Sequence, residues 1–421
     1  MNERSVSVNG ISIYSLTNPN LRSFCLSLYV RAGSIFEDLS NNGISHLFEH
    51  VIFRNIKNKY ENFYELLAMH GLCFQGSTYK KFVSFTIDGP QHEFDFAIEI
   101  LCSLFDEIKL TSHDFNNEKG RIKAEIREKD RRSSLDFYFD SIVWKNSEVE
   151  KIVLGYCKTV DRVSVKKINE FRQKVLSAGN CFVYATGNIS DKNLGALNKK
   201  ISELDISQSN PGFTNTVTVN NEFFHREKKI WIKNNYWHYI QIGFDVDCSK
   251  YPGGVYDLLY ALLFNGDKAL VYNYLSEDNP IIYSYDSTFE QYDNVGNINF
   301  SFEVDRNKIE DVFKTVVELL NAAKDGRFNF EANLNYEMFN WELDLDNPDN
   351  LNWNMAYYNH ILKTQPIDYS DEFYGRFRVT KEQIIDAAKY IFRRCNMTVA
   401  VKGDRKKINT EAIEKILESL D

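Results

Sequence analysis

His46-Leu47-Phe48-Glu49-His50 is the segment of this chain whose residue types and spacing can do chemistry. On a helix, side chains four apart share a face, so the two imidazoles can bind one metal ion together. Glu49 adjoins His50 on a neighbouring face, within reach of a water on that metal. The order H-x-x-E-H inverts the H-E-x-x-H zinc-protease signature and is itself a catalytic pattern. Its flanks are apolar (Ile44, Leu47, Phe48, Val51, Ile52 and Phe53), so the triad sits in a segment that reads as buried. Burying two imidazoles and a carboxylate without partners is costly, and a metal removes much of that cost. The plainer alternative is a surface helix that happens to carry these residues.

A catalytic zinc usually has three protein ligands and one open position, so a third ligand must come from another element. The stretch from Asn116 to Asp130 reads as a helix, capped by Asp114 or Asn116, with acids and bases spaced for i,i+4 pairing. Glu118 and Glu125 are seven apart, two helical turns, and share a face with Ile122. For most glutamates of this helix the ordinary reading is a solvated, charged surface.

With these spacings the chain resembles the pitrilysin family of zinc metallopeptidases, which includes insulin-degrading enzyme and the mitochondrial processing peptidase. Members carry H-x-x-E-H, then a ligand glutamate some 75 residues on, with a helper glutamate seven residues before it. Here Glu125 follows His50 by 75 positions and Glu118 precedes Glu125 by seven. The resemblance implies one Zn2+ per chain with His46, His50 and Glu125 as ligands. It makes Glu49 the general base and Glu118 a residue that orients the site from behind. It also implies hydrolysis of short or unfolded peptides, a leader or precursor peptide among them.

The segment Gly71 to Thr78, followed by Val83 to Ile87, resembles the family's edge strand beside the metal. An exposed edge can take up an extended peptide as one more strand. Gln75, Gly76, Ser77 and Thr78 stand where the family usually has Asn-Ala-x-Thr, and the Gln75 amide would hold a substrate carbonyl. An ordinary edge strand and turn is the alternative. In the second half, the family's Leu-Arg-Glu…Ala-Tyr-Ser context is matched by Leu275-Ser276-Glu277…Ile282-Tyr283-Ser284. Tyr283 is retained, and its family role is to point into the active site and steady the reacting peptide. Ser276 replaces the arginine and cannot make its forked, charged contact.

In two-subunit members, one subunit carries the zinc and its partner donates the arginine–tyrosine pair. The resemblance therefore implies a second family subunit that supplies this pair, with a homodimer as the runner-up. A non-catalytic scaffold or helper subunit is the rival reading, and a metallohydrolase acting on a non-peptide ester or amide is a third.

The positioning elements are legible more coarsely. At 421 residues the chain is too long for one ordinary core. Its 43% hydrophobic and 26% charged residues are those of a globular protein, and its net charge of −9 argues against nucleic-acid binding. The N-terminal MNERSVSVNGISIYSL lacks the basic start and apolar core of a signal peptide. No apolar run is long enough to span a membrane. Seven dispersed cysteines without a C-x-x-C pair fit reduced thiols in the cytoplasm.

Two segments repeat one plan. Residues 164–188 and 380–404 each open on Ser or Thr, run through an amphipathic helix to Asn, and continue as a strand ending in Gly-Asn or Gly-Asp. Asn180 and Asn396, like Gly187 and Gly403, are offset by 216. The expected organisation is a zinc-bearing domain over 1–206, a linker over 207–221 and a similar domain without a metal site over 222–421. Only His225, His238 and His360 fall in the second copy, and no two are four apart. Strands over Phe24–Ala32, Phe82–Ile87, Tyr239–Val246 and Asn297–Val304 are expected, with helices over Phe94–Phe105, Asp136–Trp144 and Ile309–Lys324. The fold class is α+β: two similar half-domains, each an antiparallel-rich sheet with helices packed on one face.

Overall fold

The computed structural model describes residues 3–128, 134–213, 237–363, 367 and 378–420. Asp130, residues 214–221 of the expected linker, and His225 lie outside them. The strands are β1 (Arg4–Val8), β2 (Ile11–Thr17), β3 (Ser23–Val30), β4 (Cys73–Thr78), β5 (Val83–Pro90), β6 (Cys181–Gly187), β7 (His238–Asp247), β8 (Tyr285–Tyr292), β9 (Val295–Val304) and β10 (Met397–Lys402). The helices of eight residues or more, in chain order, are α1 (Ile44–Lys59), α2 (Phe94–Ser103), α3 (Ser112–Glu128), α4 (Leu135–Val143), α5 (Val165–Val175), α6 (Asp191–Ser202), α7 (Gly253–Phe264), α8 (Ile309–Asp325), α9 (Phe330–Asp344), α10 (Pro348–Met355), α11 (Lys381–Ile391) and α12 (Thr410–Leu417).

Two mixed α/β units result, each with its own sheet. One comprises Met1–Lys129, Glu148–Asn215 and Leu343–Ser370; the other comprises Asp130–Ser147, Thr216–Glu342 and Asp371–Asp421. The first sheet runs β1-β2-β6-β3-β5-β4 and the second β10-β7-β9-β8. The strand orders β6-β3-β5-β4 and β10-β7-β9-β8 correspond, and all pairings within these blocks are antiparallel. β2 and β6 pair in parallel.

Alternation assigns the two faces of the first sheet. Phe24, Leu26, Leu28 and Val30 of β3 join a core with Leu47, Val51 and Ile98 from the helices. The intervening Cys25 and Tyr29 are also buried, because α10 covers part of the opposite face. Asn352 of α10 accepts from the Tyr29 hydroxyl at 2.9 Å and donates to the Tyr184 carbonyl at 3.0 Å. The second unit repeats this: α4 packs on β7 and β10. Its Phe139 crosses Gly243, where a Cβ would come within 2.6 Å of the ring. Helices thus fill one face of each sheet, and one helix covers part of the other.

The repeated asparagines have one job. Asn180 donates to the carbonyls of Val175 and Arg31, at 2.8 and 2.9 Å. Asn396 donates to those of Ile391 and Asp245, at 2.9 and 2.8 Å. Each ties a helix end to the end of the neighbouring strand. Among the described residues no helix is long and apolar enough to cross a membrane.

Candidate metal centre and substrate edge

α1 presents the histidines. Gly43, in the left-handed region at φ 94°, starts it. A Cβ there would lie 2.7 Å from the Leu154 carbonyl oxygen, so only glycine fits this turn. The NH groups that the first turn leaves without a partner inside the helix are met by buried Glu37, whose carboxylate accepts from the backbone NH of Gly43 and Ser45 at 2.7 and 2.8 Å. An anion there also suits the positive end of the helix dipole. Burial nevertheless raises the Glu37 pKa, against the pull of these hydrogen bonds.

α3 packs along α1 and faces it with two glutamates. It begins at Ser112, one turn ahead of the expected Asp114 or Asn116 cap. One donor atom each from His46, His50 and Glu125 lies within 4.8 Å of the other two. The Glu125 carboxylate oxygens stand 3.6 Å from Nε2 of His46 and 3.6 Å from Nε2 of His50. Those separations are too long for hydrogen bonds. They are close to the edge of a tetrahedron whose corners lie 2.0–2.2 Å from its centre, about 3.4 Å. Two imidazoles and a carboxylate in this spacing fit a zinc ion.

Glu118 lies behind His50 and is 2% exposed. Its carboxylate is 3.6 Å from His50 Nδ1 and accepts from Arg54 Nε at 2.6 Å, with Arg121 at 3.4 Å. Burial would raise the Glu118 pKa, but the neighbouring His50, Arg54 and Arg121 prevail and lower it. His50 loses basicity to burial and regains more from Glu118, Glu49 and Glu125, so its pKa is raised. A carboxylate on the far nitrogen of a ligating imidazole fixes its tautomer and orientation. Arg54 was not singled out from the sequence, although its position four after His50 puts it on the same helix face. Glu37 acts through a loop and leaves no such signal.

Glu49 points toward β4. Thr78 donates to its Oε2 at 2.7 Å. Burial raises the Glu49 pKa, and the Thr78 bond opposes the rise. Gly76 also faces Glu49: a Cβ there would lie 3.1 Å from Glu49 Cγ and 2.4 Å from the Phe53 ring. Gln75 and Ser77 point to the opposite face of the strand, and the Gln75 amide donates to Cys73 Sγ at 3.1 Å. Among the described residues β4 is the last strand of its sheet, and one row of its backbone groups has no strand partner there. Tyr283 lies just ahead of β8 in the second unit, 96% exposed, and Ser276 in the short π-helical segment Asn273–Glu277.

A helix pair bearing H-x-x-E-H and Glu125, a carboxylate beside it and an edge strand are the parts a zinc peptidase of inverted motif would need, and the chain belongs to the peptidase M16 family, the insulinase or pitrilysin family. Residues 13–155 match the family described as insulinase (peptidase family M16), and residues 162–332 match the peptidase M16 inactive domain. An uncharacterized zinc protease, YmxG of Bacillus subtilis, is 21% identical over 332 residues, covering 77% of this chain and 79% of that protein. The mitochondrial-processing peptidase subunit beta of Saccharomyces cerevisiae is 23% identical over 190 residues, 44% of this chain and 41% of the relative. Among solved structures, a protease from Helicobacter pylori superimposes with a TM-score of 0.83 at 19% identity, over 96% of this chain and 99% of that one.

Proposed function

We propose that this protein is a zinc-dependent endopeptidase of short or unfolded peptides, leader or precursor peptides among them, and the catalytic subunit of a cytoplasmic heterodimer. The observation that carries the reading is the convergence of His46, His50 and Glu125 donors within 4.8 Å, with Glu49 held beside them. The three side chains would hold one zinc ion, which supplies a Lewis acid that acidifies water and polarises the scissile carbonyl. Thr78 occupies Glu49 Oε2, leaving Oε1 to take the proton of the attacking water. Burial makes this carboxylate more basic, which suits a base that must later return the proton to the leaving amine. The peptide lies on β4 as an added strand. Tyr283, from this chain or its counterpart on a partner, stabilises the developing oxyanion.

The partner is a second family chain that supplies an arginine–tyrosine pair, because Ser276 cannot replace a guanidinium. A relative named as a subunit supports this reading. Glu49→Gln tests the catalytic role. It should retain the zinc content of the wild type while peptide turnover falls by 100-fold or more, on the order of the 10²–10⁴ contributed by a general base. Wild-type turnover in that variant would remove Glu49 from the mechanism. A chain that neither takes up zinc nor cleaves peptide, alone or with a partner, would be the helper subunit instead. Denaturing mass spectrometry of the active particle, which shows one kind of chain or two, distinguishes a homodimer from a heterodimer.

A further inference from the structure

A cavity lies on each face of the edge strand. On the catalytic face, a cavity of about 400 Å³ is walled by Phe53, Phe74 and Tyr64, with Lys57 and Arg121 beside them. On the opposite face, a cavity of about 360 Å³ is floored by Ser77, Ser84 and Thr86. Its walls come from Tyr79 and from the end of α9 and α10, with Asp344, Asp349 and Trp353. Gln75 and Gly76 border both cavities.

The second cavity combines anionic groups with aromatic walls. Asp344 accepts from the side-chain amides of Asn350 and Asn354, each at 2.9 Å. Asp349 is exposed, with the Cys25 thiol 3.8 Å from its carboxylate and a carboxylate oxygen of Asp88 within 4.8 Å, a further acid at this end of the cavity. Among the described residues neither aspartate is paired with a lysine, arginine or histidine. The rings of Tyr79 and Trp353 stand 5.1 Å apart at the same opening. Carboxylates beside aromatic faces recognise an extended cation, which can pair with the acids and lie over the rings.

Successive side chains of an extended peptide point to opposite faces of the sheet it joins. A peptide paired with β4 therefore sends one side chain toward Gly76 and the aromatic cavity, and the next toward Ser77 and the acidic one. We propose that the cavity of Asp344 and Asp349 is a specificity subsite for a lysine or arginine side chain of the bound peptide. That residue is an immediate neighbour of the one entering the aromatic cavity on the catalytic face. The proposal rests on the reading of β4 as the substrate edge, and adds to it the cationic substrate and the residues that select it.

The test uses fluorogenic peptides that differ only in the scanned position, Lys against Gln, with the full chain and any partner needed for activity. At one register position the Lys peptide should have a kcat/KM about tenfold or more above the Gln peptide, as a charge-assisted contact provides. In Asp349→Asn, and in the double variant with Asp344→Asn, that ratio should fall toward one. A wild type without preference at any position, or a preference that survives both variants, overturns the subsite. If no peptide is cleaved, the catalytic reading fails separately. Equilibrium binding of the same two peptides then decides the subsite: tighter binding of Lys, lost in Asp349→Asn, upholds it, and equal or absent binding overturns it.

Discussion

Gly76 shows how closely the groups around Glu49 are packed. With 3.1 Å between its missing Cβ and Glu49 Cγ, and 2.4 Å to Phe53, any larger residue must move one of them. Phe53 is stacked on Phe74, with ring centroids 4.4 Å apart, so it does not yield freely. On the proposed mechanism, Gly76→Ala should lower kcat at least tenfold while zinc content stays at the wild-type level, because the shift falls on Glu49 and not on the three side chains proposed to hold the metal. Equal kcat would mean that Phe53 absorbs the methyl group alone. Asp88 makes a different prediction from the same sheet. Burial, with a further push from Asp349, raises its pKa from 3.8 to about 6. A carboxyl whose folded pKa is raised favours folding while protonated, and that contribution is lost as pH rises from about 4 through 6. Asp88→Asn should therefore match the wild type near pH 4 and exceed it at pH 8, by at most about 3 kcal/mol at 1.36 kcal/mol per pKa unit. Urea unfolding at the two pH values measures this, and an equal gain at both would remove the titration as its cause. At this scale the sequence was informative where chemistry follows spacing, as with His46, His50, Glu118 and Glu125. It was silent on the Glu37 link to α1 and on the direction of Gln75, which depend on a loop path and on strand phase.

Elements carry the repeat. The pair Asn180 and Asn396 was legible in the sequence as an equal offset, but its purpose was not, because a side-chain bond to a distant carbonyl has no local signature. The structure supplies it: each amide satisfies a helix end and the end of a neighbouring strand at once. Asn180→Ala and Asn396→Ala each leave two buried carbonyls without their donor, a loss of about 2–4 kcal/mol at 1–3 kcal/mol per orphaned group, reduced by relaxation. Denaturant midpoints should fall by comparable amounts in the two variants. A large effect in one and none in the other would show that the repeat is one of sequence and not of energetic design. Element type was readable for most long segments, since β3, β7, α2 and α8 follow clear periodicities. Their ends were less so: α3 reaches back to Ser112, because the Thr111 hydroxyl, and not Asp114 or Asn116, meets a backbone NH of its first turn, that of Asp114.

The whole molecule is organised by exchange. The helix at 135–143 belongs to the second unit, although it precedes β6 of the first in the chain. The helix at 348–355 belongs to the first unit, although it follows β9 of the second. Composition marks 207–221 as a crossing, but cannot say which sheet a helix covers, because amphipathic helices on both units carry similar patterns. The consequence is physical. Residues 1–206 expressed alone would retain every strand of the first sheet and lose α10 from its outer face. Tyr29 would lose its acceptor on Asn352, Thr186 its bond to the Pro348 carbonyl, and Cys25 its cover. Such a fragment should keep much of its far-ultraviolet circular dichroism, bind a hydrophobic dye, and lack a cooperative unfolding transition. Restoring 343–363 through a flexible linker should recover that transition, since it returns the side chains that satisfy the exposed face. A fragment 1–206 that unfolds as sharply as the full chain would show that α10 adds cover without stability. The acidic cavity beside β4 would then be an appendage of the fold, because its carboxylates enter on the same returning segment that closes the sheet.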